Sequence, residues 1–234
     1  MSRKQILIIL FSILFCLLLG LWFLDKYSSL ENFDENNKYS FIHVPKTGGI
    51  SIYNYLLNYS DYINFFGHDK YFFKATNENK PIIVIREPTD RFTSIYKYWK
   101  KNYLEIHGSN VSNDEVSIKS FISYINNNDI GKIKLTYFWN VHLYPQTYYM
   151  DESVYKNSIV VKYNKNKMNE KMNNLINYLN IPNKNITLKP ENTGQNYELN
   201  IDDRDMEWIR HIYKNDFDLW NKLNNQPELF KKVL

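Results

Sequence analysis

From Tyr39 the chain reads YSFIHV, then PKTGG, then ISIYNYLLNY. The first run is apolar in the manner of a strand, the second is a glycine turn, and the third repeats apolar residues at helical spacing. A strand that passes into a helix through such a turn constrains the fold more than any other stretch of this sequence. Glycines allow close approach of the backbone, and the first N–H groups of the helix then point at an anion. Lys46 adds a mobile positive charge, and Thr47 and Ser51 add hydroxyl donors. The segment His43–Ser51 therefore reads as a phosphate cradle. It differs from the GxxxxGK(S/T) loop, because Lys46 precedes Gly48 and Gly49 instead of following the second glycine.

The same alternation continues downstream. PIIVIR is apolar on both faces between Ile82 and Ile85, as a buried parallel strand must be. Thr89 is the expected cap of the next helix, with Asp90 in its first turn and Phe92, Ile95, Tyr96 and Trp99 on one side. Ser112 is the expected cap of a helix carrying Val116, Phe121, Ile122 and Ile125. SIVVKY at 158–163 is a third strand candidate, and Met168, Met172, Leu175, Ile176 and Leu179 form a helical stripe ending before Pro182. A last helix opens at Asp202 and Asp203, where acidic groups suit the dipole, and continues through Met206, Ile209, Ile212, Tyr213 and Phe217. Strands alternating with helices predict an α/β fold with a P-loop-like, mainly parallel sheet flanked by helices.

The N-terminus departs from this pattern. Ile6–Leu24 is uncharged and apolar, and as a helix it nearly matches the ~30 Å hydrocarbon core of a membrane. Arg3 and Lys4 precede it, which places the N-terminus in the cytosol. A cleaved signal peptide is the rival reading, but its apolar region spans only ~7–15 residues. The expected organisation is a cytosolic 1–5, a signal anchor at 6–24, a polar stem at 25–38 and one catalytic domain at 39–234, a type II arrangement with a lumenal domain. Cys16, the only cysteine, falls in the anchor, so the domain has neither disulfide nor thiolate metal ligand. The net charge of +4 favours anionic ligands but is too dispersed for nucleic acid.

A second chemical segment is Arg86-Glu-Pro-Thr-Asp-Arg-Phe-Thr-Ser94-Ile-Tyr96. Arg86 leaves a buried strand, Pro88 turns the chain, and Ser94 on the following helix can share an anion with the Arg86 fork. The two segments together resemble the Golgi carbohydrate sulfotransferases, which carry a PK(T/S)GGTS-like loop and an R-x-P-x-x-R-x-x-S-x-Y segment. The resemblance implies a donor, 3′-phosphoadenosine-5′-phosphosulfate (PAPS), gripped at its 5′-phosphosulfate by Lys46, Thr47, Gly48, Gly49, Ile50 and Ser51. It implies that Arg86 and Ser94 hold the 3′-phosphate. Ile50 stands where the family has Thr, which removes a hydroxyl but no backbone donor. Looser echoes are Gly67-His68, Pro145-Gln146 in HLYPQTYYM, the loop Glu191–Gly194, where the resemblance implies that Thr193 binds the cofactor, and IYKNDFDLW near the end.

The resemblance implies sulfuryl transfer to a glycan hydroxyl in the Golgi or another secretory compartment, with no metal required. Lys46 would stabilise charge on the bridging oxygen of the leaving nucleotide. His68 is the first candidate for general base and His142 the competitor, whereas His43 lies in the first strand and reads as structural. The aromatic stretch Tyr137–Tyr149 is either a sugar-stacking wall or core. Alternatives are a protein-tyrosine acceptor, a small-molecule kinase and a non-catalytic membrane adaptor. A kinase wants a Mg²⁺-binding carboxylate at a strand end, where this chain has Arg86.

Overall fold

A computed structural model of the chain describes residues 38–66, 80–108, 111–127, 141–150, 152–189, 199 and 201–234. The apolar run 6–24, the stem up to residue 37, His68, the stretch 137–140 and Thr193 lie outside the described residues. Among the described residues no helix is long and apolar enough to cross a membrane.

Five strands form one sheet: β1 (Tyr39–Ile42), β2 (Ile63–Phe66), β3 (Lys80–Ile85), β4 (Ile159–Lys162) and β5 (Lys232–Val233), in the order β2-β1-β3-β4-β5. Every pairing is parallel. The chain leaves β1 for β2 on one side and returns to β3 on the other. This reversal opens a crevice beyond the carboxyl ends of β1 and β3, where sheets of this order bind ligands.

Alternating side chains explain why the strands are apolar on both faces. Phe41, Ile82, Val84, Ile159 and Val161 face one layer, formed by α1 (Gly49–Leu57) and α5 (Met168–Tyr178). Ile42, Ile83, Ile85 and Val160 face the other, against Tyr149, Val154, Leu219 and Leu223. Val154 belongs to α4 (Glu152–Asn157). The predicted stripe Met168, Met172, Leu175, Ile176 and Leu179 is buried throughout. Removing each such side chain from water contributes about 1.5–3 kcal/mol.

A third cluster joins α2 (Pro88–His107) and α3 (Ile118–Asn127) to the C-terminal helices through Phe92, Ile95, Tyr96, Trp99, Phe121, Ile125, Ile209 and Tyr213. The predicted faces of α2 and α3 are buried as expected, but two caps differ. Pro88 takes the first turn of α2 and moves the cap to Glu87, whose carboxylate accepts from the Asp90 N–H at 2.6 Å. Thr89 thus lies inside the helix. Ser112 closes only a turn with Glu115, while Ser117 accepts from the Ser120 N–H at 3.1 Å at the start of α3.

The last helix is not continuous. Asp202 caps α6 (Asp203–Ile212), as its acidic start predicts, but Tyr213 leaves helical geometry and α7 (Lys214–Asn225) begins anew. The Tyr213 hydroxyl donates to the Leu143 carbonyl at 2.9 Å. That bond belongs to the tertiary structure, and the redirection of the chain carries Asp216 inward, where it is 1% exposed.

Candidate active site

The loop between β1 and α1 is held by side chains acting on three successive carbonyls. Thr47 Oγ1 donates to the Val44 carbonyl at 2.8 Å, Arg91 Nε to the Pro45 carbonyl at 3.0 Å, and Arg86 Nη1 to the Lys46 carbonyl at 3.1 Å. Lys46 has φ 65°, a left-handed conformation that costs a non-glycine residue about 1–3 kcal/mol and persists only where surroundings enforce it. The two arginines on either side of its peptide unit supply that enforcement. At φ 84° Gly48 is left-handed as well, and a Cβ there would come 2.6 Å from the Tyr163 ring. A Cβ at Gly49 would lie 1.5 Å from His43 Nε2. The α1 N-terminus that follows has no side-chain cap and no acidic residue in its first turn, so its dipole is left for an anion.

Arg86 ties the two strand ends together. Besides the Lys46 carbonyl, its Nε and Nη2 meet the Asp90 carboxylate at 2.7 and 2.9 Å, and its guanidinium lies 4.6 Å from the Tyr163 ring centroid. The Gln146 amide accepts from the Arg86 N–H and donates to the Arg86 carbonyl, both at 2.9 Å. Pro145-Gln146 is therefore a brace on the end of β3.

Arg91, the second arginine of the R-x-P-x-x-R pattern, is the hub. At 1% exposure it also donates through Nη2 to the Tyr144 carbonyl at 2.9 Å and the His142 carbonyl at 3.3 Å. Its Nη1 lies 3.9 Å from Asp216 Oδ2, and that carboxylate accepts from the Gln146 and Thr147 N–H groups and the Thr147 hydroxyl. A buried charge needs such partners. The signal for both was present in R-x-P-x-x-R and in IYKNDF, but sequence does not tell a ligand-facing charge from an inward one.

Lys46 reaches over the Tyr98 ring, its Nζ 3.5 Å from the centroid. Burial, followed by the charges of Arg86, Arg91 and Lys101, lowers its ammonium to about 8. On the same ring lies the His142 imidazole, centroids 5.1 Å apart. The structure thus gathers Lys46, Thr47, Gly48, Gly49, Arg86 and His142 around one crevice. Ser51 and Ser94 are half-buried on α1 and α2, and Ile50 is exposed beside the loop. The Thr47 hydroxyl braces the loop from within. His43 lies one residue beyond the end of β1, not within the strand, and its ring contacts those of Phe41 and Tyr53.

A family model described as the sulfotransferase family matches residues 31–222. The chain belongs to the sulfotransferase family. No curated protein and no solved structure matches it significantly. Membership supports sulfuryl transfer as the general chemistry, and the matched span holds both arginines, the loop and Asp216.

The hub predicts a large stability effect away from any ligand. Asp216→Ala leaves the Arg91 guanidinium buried without its counter-charge, and such a loss costs about 3–5 kcal/mol. Urea unfolding of the chain measures it, and a cost below about 1 kcal/mol, ordinary for a surface site, would overturn the assignment.

Proposed function

We propose that this sulfotransferase-family chain transfers the sulfuryl group of PAPS to a carbohydrate hydroxyl, with the crevice between β1 and β3 as the donor site. The observation that carries the reading is the junction of a lysine loop, an uncapped helix N-terminus and Arg86 at one reversal of strand order. When bound, PAPS supplies an activated sulfuryl group on a phosphate leaving group. The residues suit such a dianionic ligand: cations and backbone dipoles line the crevice, and the loop's inner carbonyls are tied down by side chains. The fork of Arg86 is engaged by Asp90, whose side chain is 51% exposed and has water to turn into. Arg86 would therefore hold a 3′-phosphate with the fork that Asp90 engages in the free protein.

Lys46 holds positive charge where the leaving oxygen gains negative charge, the electrostatic role that dominates group transfer of this kind. The acceptor hydroxyl must lose a proton, and a neutral imidazole takes it at physiological pH. His142 is favoured by its place one ring away from Lys46; His68 keeps the support of its position in the family pattern. A carbohydrate acceptor is supported by the resemblance of the loop, the Arg86–Tyr96 segment, Pro145-Gln146 and IYKNDF to the Golgi enzymes. The stacked pair Tyr144 and Tyr148, centroids 4.1 Å apart, adds aromatic surface beside the hub. A tyrosine acceptor would meet the same donor site.

The donor assignment predicts that adenosine 3′,5′-bisphosphate binds far better than AMP. A charged hydrogen-bonding partner is worth about 1.5–3 kcal/mol, or roughly ten- to hundredfold in affinity. Arg86→Ala should erase most of that preference in calorimetric titrations. Equal affinities for the two nucleotides in the unaltered protein would refute the assignment.

Lys46 also predicts a pH dependence. Its ammonium is depressed to about 8 in the free protein, and a bound phosphate favours the charged form and raises it. Binding therefore takes up a proton above pH 8, and affinity falls as pH rises through that value. Titrations in buffers of different ionisation enthalpy at about pH 9 should show the uptake, and Lys46→Arg, which stays charged, should abolish it. Uptake unchanged in Lys46→Arg would assign the proton elsewhere.

The apolar Ile6–Leu24 run and the Arg3-Lys4 pair support a type II anchor with the catalytic domain in the secretory lumen, a Golgi setting in keeping with glycan acceptors. In sealed microsomes the domain should resist added protease until detergent is present. Digestion without detergent would reverse the orientation.

A further inference from the structure

The clamps on the loop act on its backbone. Arg86 and Arg91 hold the carbonyls of Lys46 and Pro45, but neither restrains the four-carbon stem of the lysine, which retains its rotamers unless its ammonium is seated. Among the described residues no carboxylate forms an ion pair with Lys46, and its ammonium lies instead over the face of Tyr98, 3.5 Å from the centroid. Tyr98 stands one helical turn beyond Ser94 on α2, on the same helix face. Its backbone is fixed there, and its carbonyl accepts from Asn102 Nδ2 at 2.7 Å.

The choice of an aromatic seat has a physical consequence. A carboxylate would hold the ammonium more firmly, but it would cancel the charge and repel an incoming anion. A ring face attracts the cation through its quadrupole and leaves the charge available. The low ammonium pKa fits this picture, since burial and guanidiniums depress it and no carboxylate among the described residues pairs with it to restore it. The same ring contacts the His142 imidazole at 34° between planes, so one side chain sets both the lysine and the candidate base His142.

We propose that Tyr98 is a positioning residue for the transfer step: its ring face seats the Lys46 ammonium at the donor crevice and spaces it from His142. The role of the seat in transfer rests on the PAPS reading, whereas the seat itself is a matter of geometry.

Two measurements on the full chain in detergent separate these. In the first, turnover of radiolabelled PAPS with a mixed glycosaminoglycan acceptor is compared among wild type, Tyr98→Leu and Tyr98→Phe. Tyr98→Leu should lower kcat by about two- to thirtyfold, the range of a cation–π contact, with little change in bisphosphate affinity. Tyr98→Phe keeps the face and should restore most of the turnover. Full turnover in Tyr98→Leu would overturn the proposal, and so would a Tyr98→Phe enzyme as slow as Tyr98→Leu, since the hydroxyl would then be the active part.

The second measurement needs no catalysis. The Lys46 ε-methylene protons, assigned by difference from Lys46→Arg, should be shifted upfield by the ring in wild type and in Tyr98→Phe. Normal shifts in wild type would dispose of the seat even if Tyr98→Leu failed to fold. A wild-type chain with shifted protons but neither PAPS turnover nor bisphosphate binding would leave the seat standing, and would remove the donor reading and with it the role in transfer.

Discussion

One buried guanidinium holds the site in place. Arg91 fastens the Pro45 carbonyl of the loop, the carbonyls of His142 and Tyr144, and the Asp216 carboxylate of α7. These groups come from parts of the chain far apart in sequence, and each would be left with an unmet hydrogen bond or charge if Arg91 moved. Buried ion pairs as such add little net stability, because desolvation offsets attraction. What this one contributes is specification: only one arrangement of loop, 142–147 segment and α7 satisfies every member, and partial satisfaction is costly.

From that hub the crevice is built outward in order of decreasing rigidity. Gln146, held by Asp216, braces the Arg86 backbone, and Arg86 reaches across the strand reversal to the Lys46 carbonyl. The left-handed Lys46 follows, and its long side chain ends on Tyr98. Backbone positions are thus held by buried charge, whereas the outermost cation is held by an aromatic face. Strain in the loop sits where function is proposed, and the stability that tolerates it comes from the two-faced sheet beneath.

Much of this was legible in the sequence, and the reasons for success and failure are physical. β1, β3 and β4 could be read because strands buried on both faces are nearly continuous apolar runs. β2 and β5 could not, because INFF and KV are too short to show a period and become strands only by pairing with a neighbour. The cap at Glu87 was missed because Thr is the commoner capping residue, yet Pro at the first helical position settles the register. The break at Tyr213 leaves the apolar period undisturbed; it is made by a hydroxyl and a carboxylate that find partners elsewhere in the fold. The chemical residues followed the same rule. Lys46 and Arg86 announced themselves by motif and position, while the inward roles of Arg91, Asp216 and Gln146 depended on contacts that no local pattern encodes.

The packing of His43 on Gly49 reaches beyond the site itself. The imidazole fills the volume that any side chain at position 49 would need, and it makes ring contacts with Phe41 and Tyr53. Positions 43 and 49 therefore share one space, and a substitution at either is read through the other. A larger residue at the helix start is compatible with this loop once the residue after β1 is smaller or turned away. The order of change is therefore constrained: position 43 can become smaller while position 49 stays glycine, but a side chain at 49 first needs the imidazole to shrink or swing aside.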